Sequence, residues 1–414
     1  MRGRCSSCSY RRGLPSSTLR HYFRLRHIPG PPLVGFSKWW LASSARRGRM
    51  HLDLYEAIEK YGPDLPFTRV GPQDIITGDP VFLRQIVNTH SLYQRSDWYT
   101  AMRFDPTRDN ILSLRDDEMH TKHRAKLAPG YSGRDVGHLE PRVDRNILEL
   151  INLLDRDYVS KGRVFDFGRK AQYFTMDVIA DVAFGQAFGF VASDSDMYDY
   201  IGLLEKLMPT LIMNQVFPWV VDVMADAESE ILVQVLAGSD TTATATAIRA
   251  TTLHVITSPR VETRLRAEIA AAGVASRPWN TVISDAEARR LPYLQAVVKE
   301  GLRIFPPAVG LGSKSVPPAG DTYRGDAEEF RPERWLQAEG GKLREMEATL
   351  DLVFGTGRWQ CLGRNVALME LNKIFVELLR RFELVVMKPG EPWHSRSAGL
   401  FTQNEFWLKG YRRG

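Results

Sequence analysis

Residues 354–363 read FGTGRWQCLG, and this stretch holds Cys361, the only cysteine outside the extreme N-terminus. Gly355, Gly357 and Gly363 permit the tight, partly left-handed backbone that brings a chain close to a flat ligand. Beyond Gly363 the apolar residues Val366, Leu368, Leu371, Ile374, Phe375, Leu378, Leu379 and Phe382 recur at three- and four-residue steps with charge between them, the period of a buried helix. Cys361 therefore falls at a helix N-terminus. Free amides and the positive end of the helix dipole favour a thiolate there, the form of cysteine that ligates a metal. Taken alone, one cysteine in a glycine-rich turn reads equally well as a structural residue.

The order of residues resembles the haem-binding loop of the cytochrome P450 family, FxxGxRxCxG, with Phe354, Gly357, Cys361 and Gly363 in the matching places. One position departs. Trp359 stands where the family usually has arginine, with Arg358 just before it, a variant similar to fungal members. The resemblance implies that Cys361 is the axial ligand of a haem b iron. It also implies that Arg358, or another base, meets the haem propionate that the family's arginine contacts.

Length and composition accommodate this reading. A chain of 414 residues with 43% apolar content has room for one large domain or two to three ordinary ones. Three cysteines indicate no disulfide framework and fit a reducing compartment. The net charge of +6 is unevenly spread: residues 1–52 carry eleven Arg or Lys and no acid, while the other 362 residues hold 44 bases against 49 acids. Nucleic-acid binding needs a basic stripe on the folded domain, and here the excess sits in a tail.

Residues 1–26, rich in arginine and serine, read as a basic, disordered leader, with a mitochondrial-type transit peptide as the alternative. Cys5 and Cys8 form a CxxC pair with no second pair to complete a zinc site. No run approaches the roughly 20 apolar residues that a membrane-spanning helix requires. Residues 27–33, HIPGPPL, are a stiff proline-rich stretch that separates leader from fold and resembles the hinge after the membrane anchor of microsomal family members. A single domain is expected over 27–414. Within it a helix from Leu52 ends at Gly62 and Pro63, residues 68–70 and 74–77 form a hairpin, and residues 80–88 form the next helix.

Four further stretches carry chemistry or its absence. In residues 120–124, HTKHR, His120 and Arg124 share a helix face and attract carboxylates, unless the face is simply solvated charge. The family's WxxxR pattern donates to a haem propionate from this place, so the resemblance makes Arg124 a propionate ligand and His120 a second. Residues 139–157 and 172–184 have helical periodicity and read as scaffold. Residues 198–223 read as an apolar helix broken by Pro209 and Pro218, and residues 230–256 as a long helix centred on AGSDTT, residues 237–242. Gly238 within a helix costs about 1 kcal/mol against alanine. It marks either a small-residue packing notch or, by the resemblance, the place where Ala237 and Gly238 let the helix pass close over the haem. Asp240 and Thr241 are then the acid and alcohol that relay protons to bound dioxygen.

Residues 291–307, LPYLQAVVKEGLRIFPP, place Glu300 and Arg303 on one helical face, and FRPERW at 330–335 offers Arg334. The resemblance makes these three a buried structural network shaping the loop beneath the haem. Residues 306–311 and a hairpin at 398–407 are expected to line the substrate pocket. Two stretches are short for the family: 17 residues separate Trp219 from Ala237, and six separate Tyr323 from Phe330.

The expected protein is mainly helical with small β-sheets, a cytochrome P450 fold incomplete in the region of the F and G helices and before the PERF region. It is similar to fungal monooxygenases of secondary metabolism and nearest to pisatin demethylase-like enzymes. Its substrate would be an apolar small molecule and its electrons would come from NADPH through NADPH–cytochrome P450 reductase, for which Arg358 and Arg364 are docking candidates. A monomer is expected, with no nucleic-acid partner. It would reside at the endoplasmic reticulum membrane surface, with cytoplasmic or mitochondrial residence as alternatives. An oxygen-independent haem-thiolate isomerase or dehydratase, and a truncated or mis-spliced inactive chain, remain open.

Overall fold

In the computed structural model the described residues are 14–62, 65–88, 91–103, 108–132, 139–218, 242–307, 326–397 and 401–413. The Arg364–Arg381 helix is the hub. It packs against the Leu139–Leu153, Thr242–Ile256 and Pro292–Ile304 helices. Val366, Leu371, Ile374, Phe375, Leu378 and Leu379 are buried along its length, as the three- and four-residue spacing dictates. Arg380 and Arg381 occupy its last turn, where cations suit the helix dipole, and Phe382 turns the chain into a strand.

Among the described residues three small antiparallel sheets accompany the helices. Strands β1 (Thr68–Arg69) and β2 (Ile75–Ile76) form the expected hairpin, with Thr68 opposite Ile76. Strands β3 (Val164–Asp166) and β4 (Phe382–Val386) flank the C-terminal strand, and β5 (His394–Ser397) pairs with β6 (Phe401–Asn404). The C-terminal strand, β7 (Trp407–Arg412), lies between β3 and β4. Asp166 links sheet to helix. Its Oδ1 caps the Phe167–Phe184 helix by accepting from Gly168 N–H at 2.9 Å and also accepts from Phe406 N–H at 3.1 Å.

Several sequence expectations hold closely. The Met50–Tyr61 helix ends at Gly62, and Pro80 opens the Pro80–Val87 helix with Asp79 as its cap. Three expectations need correction. The leader, read as disordered through residue 26, is helical over Leu14–Leu25. Buried Arg69 holds it down, donating to the carbonyls of His21 (3.4 Å), Gly35 (3.4 Å) and Pro72 (2.7 Å). Pro209 does not break the Tyr200–Val216 helix. Ile201, Leu204, Ile212 and Val216 are buried on both sides of it, and that continuous apolar face outweighs the lost N–H donor. The hairpin expected at 398–407 runs over 394–404, so its two arms lie earlier. Its turn, 398–400, lies outside the described residues, as do Cys5 and Cys8. Among the described residues no helix is long and apolar enough to cross a membrane.

Candidate active site

The loop carrying Cys361 is built by its own backbone. Gly355 and Gly357 take φ of 67° and 62°, the left-handed region that a side chain disfavours. The chain thereby doubles back, so that Cys361 N–H donates to Phe354 O at 2.7 Å. Thr356 Oγ1 donates to Val87 O at 3.2 Å, tying the loop to the Pro80–Val87 helix. Gly363 caps the Arg364–Arg381 helix, and the sulfur of Cys361 accepts from the amides of Gly363 and Arg364. The residue is exposed, yet enough protein crowds the sulfur that desolvation pushes the thiol's pKa up. Those two amides and the charges of Arg124 and Arg364 pull the other way. A bound metal would resolve the conflict, because coordination deprotonates a thiol outright. Among the described residues no group of three or more His, Cys, Asp or Glu could hold a bare ion. A single thiolate suits a metal carried in a macrocycle.

Beside the loop lies a cluster of cations. Arg124, on the Asp117–Ser132 helix, donates from Nη1 to Gln360 O at 2.5 Å. His120, one turn earlier, is 2% exposed and packs on the Trp359 ring at 3.8 Å between centroids. The guanidinium of Arg95 covers Trp359 at 3.8 Å and Tyr99 at 4.4 Å, while its Nη1 donates to Leu114 O at 3.2 Å. Burial, reinforced by Arg95, Arg124 and Arg358, holds the His120 imidazole down at about 4, so it is neutral at pH 7. Its Nδ1 is buried without a hydrogen-bond partner. An unpaired buried ring nitrogen in a cationic nest is a costly arrangement that an anionic group relieves. The residues present thus fit a planar macrocycle with carboxylate arms, ligated from Cys361.

Arg358 Nη1 pairs with Asp117 Oδ2 at 2.5 Å, on the helix that carries His120 and Arg124. Arg364 Nη2 pairs with Asp351 at 3.1 Å. Phe354 is partly buried against the main core under the Arg364 guanidinium, 5.7 Å from its ring centre. Ala237, Gly238, Asp240 and Thr241 lie outside the described residues. The helix that follows them, Thr242–Ile256, has Ala245, Ala247, Ile248 and Ala250 wholly buried.

The structure brings Glu300, Arg303 and Arg334 together. Glu300 accepts from Arg303 Nε at 2.9 Å, Arg334 Nε at 3.0 Å, Arg331 N–H at 2.8 Å and Trp335 Nε1 at 2.9 Å. Both guanidinium groups also donate to Glu329 O at 3.0 Å, fastening residues 326–335 to the Pro292–Ile304 helix. Arg95 and the stacking role of Trp359 escape sequence reasoning. The only local signal for Arg95 is its aromatic surroundings, YQRSDWY at 93–99.

A cysteine at the head of a buried helix, beside a neutral histidine and a cation cluster, suits a haem-thiolate protein. Cytochrome P450 is the family whose model matches this chain, over residues 29–225, 222–316 and 321–406, and the chain belongs to that family. It is similar to Cytochrome P450 monooxygenase ABA1 of Pyricularia oryzae, 35% identical over 487 aligned positions, covering 97% of this chain and 95% of the relative. Cytochrome P450 monooxygenase aba1 of Botryotinia fuckeliana is 33% identical, covering 93% of this chain and 91% of the relative. Cytochrome P450 monooxygenase mpaDE of Penicillium roqueforti is 26% identical over 92% of this chain and 54% of the relative. The chain is thus an oxidoreductase of the cytochrome P450 type.

Proposed function

We propose that the chain inserts one oxygen atom of dioxygen into an apolar small molecule of fungal secondary metabolism, drawing electrons from NADPH through NADPH–cytochrome P450 reductase. The observation that carries the reading is Cys361 at the N-terminus of the Arg364–Arg381 helix, next to the cluster that leaves His120 Nδ1 unpaired. Haem b, held by Cys361, supplies the activation of dioxygen. Phe354, Gly357 and Gly363 shape the loop that presents the sulfur. Arg124 balances propionate charge, and His120, neutral at pH 7, donates an N–H to a propionate oxygen without adding a buried charge. Arg358 steadies this wall through Asp117.

By the family resemblance of AGSDTT at 237–242, Ala237 and Gly238 are the small residues of the site and Asp240 and Thr241 the acid and alcohol that move protons. On this reading the Thr241 hydroxyl hands on protons that the Asp240 carboxyl resupplies, two being needed to release one oxygen atom as water. The test is turnover of the haem-loaded chain with the reductase, NADPH and isotopically labelled dioxygen. A product carrying one labelled oxygen is expected. Oxygen- and NADPH-independent product would instead identify an isomerase or dehydratase.

One observation favours a second reading, a chain that does not complete the site. The family match breaks at 222–225, inside the short stretch between Trp219 and Ala237, and at 316–321, shortly before the one between Tyr323 and Phe330. The alignment to ABA1 of Pyricularia oryzae also spans 487 positions against a chain of 414 residues. On this reading the purified chain takes up no stoichiometric haem.

A further inference from the structure

The cysteine loop carries Trp359 at the position where an arginine is usual, and three elements meet on that ring. The segment 91–103 brings Arg95, whose guanidinium lies 3.8 Å from the ring centre. The Asp117–Ser132 helix brings His120, with its ring 3.8 Å away between centroids. The third element is the loop itself, in which Trp359 stands two residues before Cys361.

Arg95 is firmly mounted and keeps its charge. Its Nη1 donates to the carbonyls of Ile111 (3.3 Å), Leu112 (2.5 Å) and Leu114 (3.2 Å), in the stretch that leads into the Asp117–Ser132 helix. Its guanidinium also faces the Tyr99 ring at 4.4 Å. All of these partners are neutral, and the acids nearby are engaged by other arginines, Asp97 by Arg115 and Asp117 by Arg358. Burial lowers the pKa of Arg95 to about 10, which leaves it charged at pH 7. An aromatic face holds a guanidinium in place without cancelling its charge. A second guanidinium at position 359, this close to Arg95, would instead repel it.

We propose that Arg95 and Trp359 together replace the arginine missing from the cysteine loop. Arg95 is a positioning residue: it clamps the loop through the Trp359 ring and leaves an uncancelled charge beside His120 and Arg124, where the anionic edge of a haem is balanced. The inference rests on the haem-thiolate reading and goes beyond it by coupling positions 95 and 359. The test is the rate at which the haem-loaded chain gives up haem to a haem-scavenging apoprotein, followed by the Soret band. Wild type is compared with Arg95→Gln, with Arg95→Lys, and with Arg95→Gln combined with Trp359→Arg. Arg95→Gln should lose haem about tenfold faster, and Arg95→Lys, which keeps a cation over the ring, should fall between it and wild type. The double variant, with the charge moved into the loop, should return to within about threefold of wild type. A merely structural Arg95 predicts the opposite, because removing the ring as well adds a second defect. Haem kept by Arg95→Gln as long as by wild type, or lost by the double variant at least as fast as by Arg95→Gln, would overturn the inference while leaving the haem-thiolate reading intact. A wild type that takes up no haem would overturn both.

Discussion

His120 sets a pH dependence that belongs to one side chain. The unfolded chain takes up its proton near 6.5, whereas the folded chain refuses it until about 4, because burial and three arginines oppose the charge. Within that window the unfolded state binds more protons, so stability falls as pH drops from 6.5 towards 4. His120→Gln should flatten this acid limb relative to wild type in urea midpoints of the haem-free chain at pH 4 to 7; an unchanged limb would assign the loss to other groups. At Arg124, replacement by alanine should accelerate haem loss to a haem-scavenging apoprotein by about tenfold or more, the scale of one charge-assisted hydrogen bond. Glu300 and Arg303 were legible as a pair on one helical face, whereas Arg334 as their partner and Cys361 as a ligand rested on the resemblance to the family, since one cysteine in a glycine-rich turn reads equally well as structural. Arg95 was not legible. It reaches Trp359 across 264 positions of chain by a loop that folds back, and no local period encodes such a contact.

Helices were the most legible elements, since burial follows a three- and four-residue step wherever one face meets the core. The failures have physical causes. Pro209 stays within a helix because packing on both sides compensates, and the hairpin arms at 394–404 carry little alternation to fix their ends. Two predictions belong to this scale. Gly301 on the Pro292–Ile304 helix faces Thr251 so closely that no Cβ fits, so Gly301→Ala should cost about 1–3 kcal/mol by forcing those helices apart. Glu300→Ala removes the carboxylate that two buried guanidinium groups share, leaving Arg303 with the carbonyls of Ala327 and Glu329 and Arg334 with Asp326 as a counter-charge, and should cost about 3–5 kcal/mol. Thermal unfolding of both variants checks the ranking, and a neutral Glu300→Ala would mean the network is dispensable.

At the scale of the whole molecule, the mainly helical body with small β-sheets was expected because the order of the motifs resembles that of the family to which the chain belongs. The leader was not readable, since its order comes from Arg69, some fifty residues away. Ala237, Gly238, Asp240 and Thr241 remain a reading of sequence alone. The account's central claim is that this chain holds haem through the Cys361 thiolate, and the most direct measurement is the reduced, carbon-monoxide-bound difference spectrum of the purified chain beside Cys361→Ala. The account predicts a long-wavelength Soret band that the alanine variant loses. No haem uptake, a band typical of a neutral ligand, or a band that survives in Cys361→Ala would contradict it.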